Sequence, residues 1–155
     1  MTADPYLYRD GLREAVVFLL VDDKRRVLME CRPDGRGTFS DIFFPSGSIE
    51  RRDREDDRFD YREAAVRREV SEEFRDGVAV ETLQLLGEVP VPAIDILFYV
   101  YWVTSWSGDP GSHSYEEDAP FGELRWLSVD GVRDIFPWES GRQMADLLTA
   151  ALRSR

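Results

Sequence analysis

The stretch YREAAVRREVSEEF, Tyr61–Phe74, places three glutamates where a helix holds them least well. Wound at about 100° per residue, it puts Val66, Val70 and Phe74 on one stripe that must face a core. Glu69, Glu72 and Glu73 then share the neighbouring face. Like charges spaced i, i+3 and i, i+4 cost about 0.2–0.5 kcal/mol for each pair. Glu72 and Glu73 also lie in the last turns before Gly77, where the negative end of the helix dipole disfavours a carboxylate by about 0.3–1 kcal/mol. Helix chemistry leaves two readings open. One is a solvated acidic face relieved by arginines, since Arg68 reaches Glu72 at i+4 and Arg62, Arg67 and Arg75 stand nearby. The other is a divalent-cation site, in which clustered carboxylate oxygens bind Mg2+ or Mn2+, hard ions that bridge to substrate phosphates.

Outward from this helix, predicted over Tyr61–Asp76 with Gly77 as a left-handed cap, the chain reads as alternating apolar runs and turns. AVVFLLV (Ala15–Val21) and VLMEC (Val27–Cys31), joined by DDKRR, predict a hairpin with one strand buried on both faces. DIFF predicts a third strand before Pro45. Ala79–Val89 and Ile94–Trp106 predict two more, the second of them central, with its aromatics in the core. GDPGSHSYEEDAPFG reads as a loop, ELRWLSV as a short strand, and Gln143–Leu152 as an amphipathic helix with Met144, Leu147, Leu148 and Ala151 on one stripe. This order predicts an α/β protein, a mixed sheet with helices packed on it.

The 155 residues, without repeats or a low-complexity linker, fit a single domain spanning 1–155. With 20 Lys+Arg against 31 Asp+Glu the net charge is −11, which argues against a nucleic-acid or membrane-surface binder. An acidic protein that handles phosphates needs metal ions as intermediaries. Lys24 is the only lysine beside nineteen arginines, a bias that fits either salt adaptation or compositional drift. Cys31 and His113 each stand alone, so disulfide scaffolds and zinc modules are excluded. Cys31 reads as a small buried hydrophobe and His113 as a loop residue. The N-terminus lacks the regions of a signal peptide, and the longest apolar run, Ile96–Val103, is far short of the ~20 residues that span a bilayer. The expectation is a soluble, cytoplasmic protein. No Gly-x-Ser-x-Gly elbow, Walker loop or His-Glu-x-x-His occurs, and Asp53-x-Glu55-x-Asp57 lacks the glycine and distal Glu of a calcium loop.

Arg68-Glu69-Val70-Ser71-Glu72-Glu73, preceded by FPSGSIE (Phe44–Glu50), resembles the signature of the MutT-like Nudix hydrolases, a glycine loop followed by a helix with Arg-Glu-(apolar)-x-Glu-Glu. The hexapeptide match is complete. The flanks agree, with Cys31-Arg32 ending the second strand and Glu123–Leu127 like the strand that closes such domains, so the resemblance covers the whole chain. It implies the Nudix fold, an α/β/α sandwich with a mixed β-sheet flanked by helices. Three features depart from the family pattern G-x5-E-x7-R-E. Gly47 and Glu69 are 22 residues apart rather than fifteen, an insertion of about seven that falls in the charged stretch Arg51–Asp60. Asp60 then takes the place of the pattern's middle Glu, and the inserted stretch is expected to be a surface loop removable at little cost in stability. Ser46-Gly47 replaces the usual glycine pair, and Arg75 stands where a glycine is expected.

The resemblance implies attack of water on a phosphorus of a nucleoside diphosphate derivative, a nucleoside triphosphate or oxidised nucleotide being favoured. The alternatives are an ADP-ribose or nucleotide-sugar pyrophosphatase and a non-catalytic nucleotide-binding sensor, which the intact glutamates argue against. By the same analogy Glu69, Glu72, Glu73 and the Ser46 carbonyl bind Mg2+ (or Mn2+), with Glu69 either ligand or general base. A late-loop Glu serves as base in some members, and among Glu116, Glu117 and Glu123 the preferred candidate is Glu117. Arg68 orients carboxylates through charge-assisted hydrogen bonds. Arg32 is a candidate phosphate clamp, since a guanidinium binds two oxygens at once. The expected partner is a small-molecule nucleotide, with no nucleic acid and no membrane, and the protein a monomer or homodimer.

Overall fold

Along the strand that follows Gly11, consecutive side chains enter two different cores. Val16, Phe18 and Leu20 join one with Ala65, Val66, Val70 and Phe74, while Val17 and Leu19 join the other with Met144, Ala145 and Leu148. The alternation of a pleated strand produces this division. It explains why the run is apolar at every position rather than at every second one. The computed structural model describes residues 3–32 and 41–154.

The strands are β1 (Tyr8–Arg9), β2 (Leu12–Leu20), β3 (Arg26–Arg32), β4 (Asp41–Phe43) and β5 (Ser46–Ser48), followed by helix α1 (Tyr61–Glu73). Then come β6 (Val78–Val91), β7 (Ile96–Gly108), β8 (His113–Glu116), β9 (Ala119–Ser128), the one-turn α2 (Val129–Val132) and α3 (Glu139–Arg153). One sheet runs β1-β2-β7-β6 with β5 also paired to β2, and it is mixed, because β2 and β7 are parallel while the other pairs are antiparallel. A second, antiparallel sheet runs β4-β3-β9-β8. Helix α1 covers one core and α3 the other, the sandwich that the resemblance implied. Among the described residues no helix is long and apolar enough to cross a membrane.

Four local expectations change. The hairpin of β2 and β3 is not formed: a tight turn joins them and one bridge, Val21 to Val27, pairs them, but they belong to different sheets. Both edges of β2 are already taken, by β7 on one side and by β1 and β5 on the other, so β3 pairs with β4 and β9 instead. The segment read as a loop contains β8 and the start of β9, closed by Glu117 and Asp118, both with positive φ as a two-residue hairpin turn requires. After α1 the left-handed positions are Arg75 and Asp76 rather than Gly77, so the residue standing for the pattern's glycine keeps a glycine-like backbone. The stretch Arg51–Glu55 is a short 3-10 helix with buried Asp53, not a free surface loop.

Candidate active site

The side chains of α1 divide as its stripe demanded. Val66, Val70 and Phe74 are buried, Glu73 is buried beside them, and Glu69 and Glu72 both reach Arg68. Asp60 caps the N-terminus, accepting a hydrogen bond from the Arg62 backbone N–H at 2.9 Å. It is therefore a helix cap and not the partner of Arg68. That partner is Asp53, whose carboxylate accepts from Arg68 Nε at 2.8 Å and from its Nη2 at 3.0 Å. Counted forward from Gly47, Asp53 is the sixth residue, the position of the pattern's middle Glu, so the inserted residues lie between Asp53 and Arg68.

Arg68 is the hub of the cluster. Its Nη1 lies 3.0 Å from Glu69, 3.2 Å from Glu72 and 2.8 Å from Glu50, and its Nη2 also donates to the Ser48 carbonyl at 3.0 Å. Glu72, half exposed, is held from outside by Arg52 at 2.9 Å. These contacts give Arg68 the orienting role expected of it. Glu69 packs against Gly47 of β5, where an added Cβ would stand 2.1 Å from the Glu69 carboxyl carbon. Burial pushes this carboxyl up to about 7, with Arg68 opposing and Glu72 reinforcing the shift. Glu73, only 7% exposed, is raised well above the carboxylate range by burial and by its hydrogen bond with Glu30.

Glu30 is the residue sequence reasoning passed over. It lies on β3, 1% exposed, and its carboxylate accepts from Arg32 Nε at 2.6 Å. Burial works to raise it, but the hydrogen bond from Glu73, together with Arg32 and the Ser114 hydroxyl, holds it below the usual range. Its signal was a single charge inside the apolar run VLMEC, which a core strand does not tolerate without partners. Arg32 itself lies against two rings, 4.9 Å from the centroid of Phe43 and 5.5 Å from that of Phe121. Phe43 in turn stacks on Trp138 at 5.3 Å, and Phe121 and Trp138 are 37% and 36% exposed. Arg32 thus joins an acidic cluster to an open aromatic surface.

The remaining candidates separate. Ser46 opens β5, paired with Val17 of β2, two residues before the Ser48 carbonyl that Arg68 holds. Glu117 occupies the tip of the β8–β9 turn, with no hydrogen bond or ion pair to the α1 glutamates among the described residues. The hairpin behind it does pack on the end of the helix, where the Arg75 guanidinium lies 4.6 Å from the centre of the Tyr115 ring. Glu123 pairs with Arg125 at 3.1 Å. Cys31 is fully buried, and burial pushes its thiol up, as an inert core cysteine requires.

The donors suit a hard divalent cation. Glu69 and Glu73 are buried carboxylates whose ionised form is costly alone and is what such an ion stabilises, and Gly47 leaves the space Glu69 fills. Among the described residues no three acidic, His or Cys side chains are already gathered into an ion cage, because Arg68 holds Glu69 and Glu72 and Glu30 holds Glu73.

Known proteins share this family and fold. The NUDIX domain family matches residues 11–147. No curated protein sequence matches. Among solved structures, a MutT from work on Aliivibrio salmonicida and Vibrio cholerae shares 20% identity, with 89% of this chain and 97% of that chain covered, at a TM-score of 0.63. A MutT Nudix hydrolase of Burkholderia pseudomallei shares 24%, covering 90% and 99%, at 0.59. An ADP compounds hydrolase shares 17%, covering 91% and 73%, at 0.65. At these identities the structures speak for the fold, while the family match extends over the glycine loop, the glutamate helix and the closing strand alike: this chain belongs to the Nudix family.

Proposed function

We propose that this protein is a divalent-cation-dependent pyrophosphohydrolase acting on a nucleoside diphosphate derivative, with a nucleoside triphosphate or its oxidised form as the favoured substrate. The observation that carries the reading is the pair of buried glutamates, Glu69 and Glu73, kept beside a glycine-built cradle and an arginine already committed to carboxylates. A structural helix gains nothing from burying them. Glu69, Glu72, Glu73 and the Ser46 carbonyl hold the cation, Mg2+ or Mn2+, which when bound polarises phosphoryl oxygens and offsets the repulsion between an anionic substrate and a protein of charge −11.

The chain's own groups supply the rest. Glu69 accepts the proton of the attacking water as the new P–O bond forms and the P–O bond to the leaving group breaks. Glu117, on the turn beside α1, is the second candidate for that base. Arg32 binds the substrate's phosphate oxygens. The Phe43–Trp138 stack and Phe121 offer the base a surface on which to stack.

Release of phosphate or pyrophosphate from nucleoside triphosphates, dinucleotides and nucleotide sugars, with Mg2+ or Mn2+ and with EDTA, at low and high salt, tests the reading. Metal-dependent turnover of triphosphates is expected. Turnover of ADP-ribose or nucleotide sugars alone replaces the substrate. Binding without turnover of any compound replaces the enzyme with a sensor.

A further inference from the structure

Arginines gather at one more place in this acidic protein. A hollow of about 350 Å3 opens between the 3-10 turn Arg51–Glu55, the residues that follow it and α1. Its lining carries four guanidiniums, of Arg52, Arg58, Arg67 and Arg68, against two carboxylates, of Asp53 and Asp56. Each carboxylate is already taken. Arg68 grips Asp53, and Arg58 reaches Asp56 with Nε at 3.2 Å and Nη2 at 3.1 Å. Of the two cations left over, Arg52 is held from outside the lining by Glu50 and Glu72, through Nη2 alone, at 3.1 and 2.9 Å. Arg67 forms no ion pair among the described residues. Its Nη1 and Nη2 donate to the Val80 and Glu81 carbonyls of β6, at 2.9 and 3.2 Å, and its Nε is buried with no acceptor. The Phe59 ring lies 4.1 Å from the Arg67 guanidinium and 5.4 Å from that of Arg58, so one ring supports both cations. Burying a donor without an acceptor costs stability, and a purely structural wall avoids it.

The donors define what would complete them. Planar guanidinium N–H groups match the oxygens of a phosphate, which also brings the negative charge that the lining lacks. Asp56, Arg58 and Phe59 stand among the residues inserted between Asp53 and Arg68, so the hollow is a feature of this chain and not of the family's pattern. We propose that it is a phosphate-binding site separate from the cation site, with Arg67 Nε as the central donor and Arg58 and Arg52 flanking it. Its ligand is a phosphate group, either the free inorganic ion or the phosphate of a monoester. The site goes beyond the hydrolytic reading and stands whether or not the protein turns over a nucleotide.

The test is calorimetry on the full chain, freed of metal by chelation and dialysis, with inorganic phosphate and AMP as probes. Saturable binding of one molecule per chain is expected. R67K keeps the charge but removes Nε, and R58E reverses a charge on a side chain 79% exposed, where the core is not disturbed. Each is expected to weaken binding about tenfold or more, the loss of one charge-assisted hydrogen bond. R32Q, altered at the proposed phosphate clamp of the catalytic cleft, is expected to keep the wild-type affinity. Wild-type affinity in R58E overturns the site, whatever R32Q shows, and so does the absence of saturable binding in the wild type. If R67K does not fold, R58E decides alone. Tighter binding of AMP than of inorganic phosphate, lost in R58E, supports the site and makes a monoester its ligand. Equal binding, lost in R58E, supports it with the free ion as ligand.

Discussion

The guanidinium of Arg68 grips both carboxylate oxygens of Asp53, at 2.8 and 3.0 Å, across fifteen positions of sequence. The 3-10 turn is thereby fastened to the face of α1 that carries the glutamates. Everything inserted between the two residues is bracketed by this contact, so the length of the insert does not propagate into the site.

Asp53 and Asp60 are accordingly unequal. D53N weakens the two-pronged grip on Arg68 while Glu50, Glu69 and Glu72 still face its guanidinium, and is expected to cost about 1.5–3 kcal/mol. D60N removes only part of a helix cap that asparagine itself serves well, so its cost is below about 1 kcal/mol. Urea denaturation of the two variants measures the difference, and equal costs would place the clasp at the wrong aspartate. Deleting Arg51–Arg58 removes Asp53 and is expected to destabilise at least as much as D53N.

Gly47→Ala drives a methyl group into the Glu69 carboxyl. The carboxylate must leave its cradle, and misplacement of a reacting group by about 1 Å costs on the order of 100-fold in rate. We expect kcat to fall by that factor while Tm changes by a few degrees. A variant with wild-type kcat would detach Glu69 from the chemistry.

The raised Glu69 carboxyl ties stability to pH. Its folded value of about 7 lies above the ordinary 4.5, so between those values the native state binds the proton that the unfolded state has released. The stabilisation is complete below the ordinary value and is lost as pH rises through the folded one. Metal-free wild-type protein is expected to lose stability relative to E69Q across this window, by an amount on the order of 3 kcal/mol. Saturating Mg2+ is expected to abolish the loss, because the ion favours the ionised form. Thermal melts of both proteins from pH 4 to 8, with Mg2+ and with EDTA, read this directly; parallel curves without metal would show that Glu69 is not shifted.

Trp138 gives the substrate reading a residue-level check. Stacking of a base on an aromatic ring is worth about 1–3 kcal/mol, so W138A is expected to raise KM for a nucleotide about fivefold or more with little change in kcat. An unchanged KM would place the base elsewhere.

The fold was legible where periodicity was strong. The valine stripe of α1, the central position of β7 and the apolar face of α3 follow from residue spacing alone, since burial and pattern agree at each. Pairing was less legible. The turn DDKRR announces a hairpin, and nothing local reveals that β1, β5 and β7, the last arriving some eighty residues later, occupy both edges of β2. The site divides in the same way. Arg68, Glu69, Glu72 and Glu73 form one continuous motif, but Asp53 and Asp60 satisfy the same pattern counted from opposite ends, and only the contact distinguishes them. Glu30 was hidden because its partners Ser114 and Gly122 are brought to it by strand pairing that no spacing encodes.

The strand β2 is a wall common to two rooms. Phe18 faces one core and Leu19 the other, so neither helical layer can peel away without stripping one face of the same strand. Opening is then all or none across the sheet, and the most protected amides of β2 are expected to exchange at the rate of global unfolding whichever core their side chains enter. The glutamates of α1 inherit that rigidity. Their spacing persists unaltered until the whole molecule comes apart, which leaves adjustment to substrate to the turns and side chains at the rim.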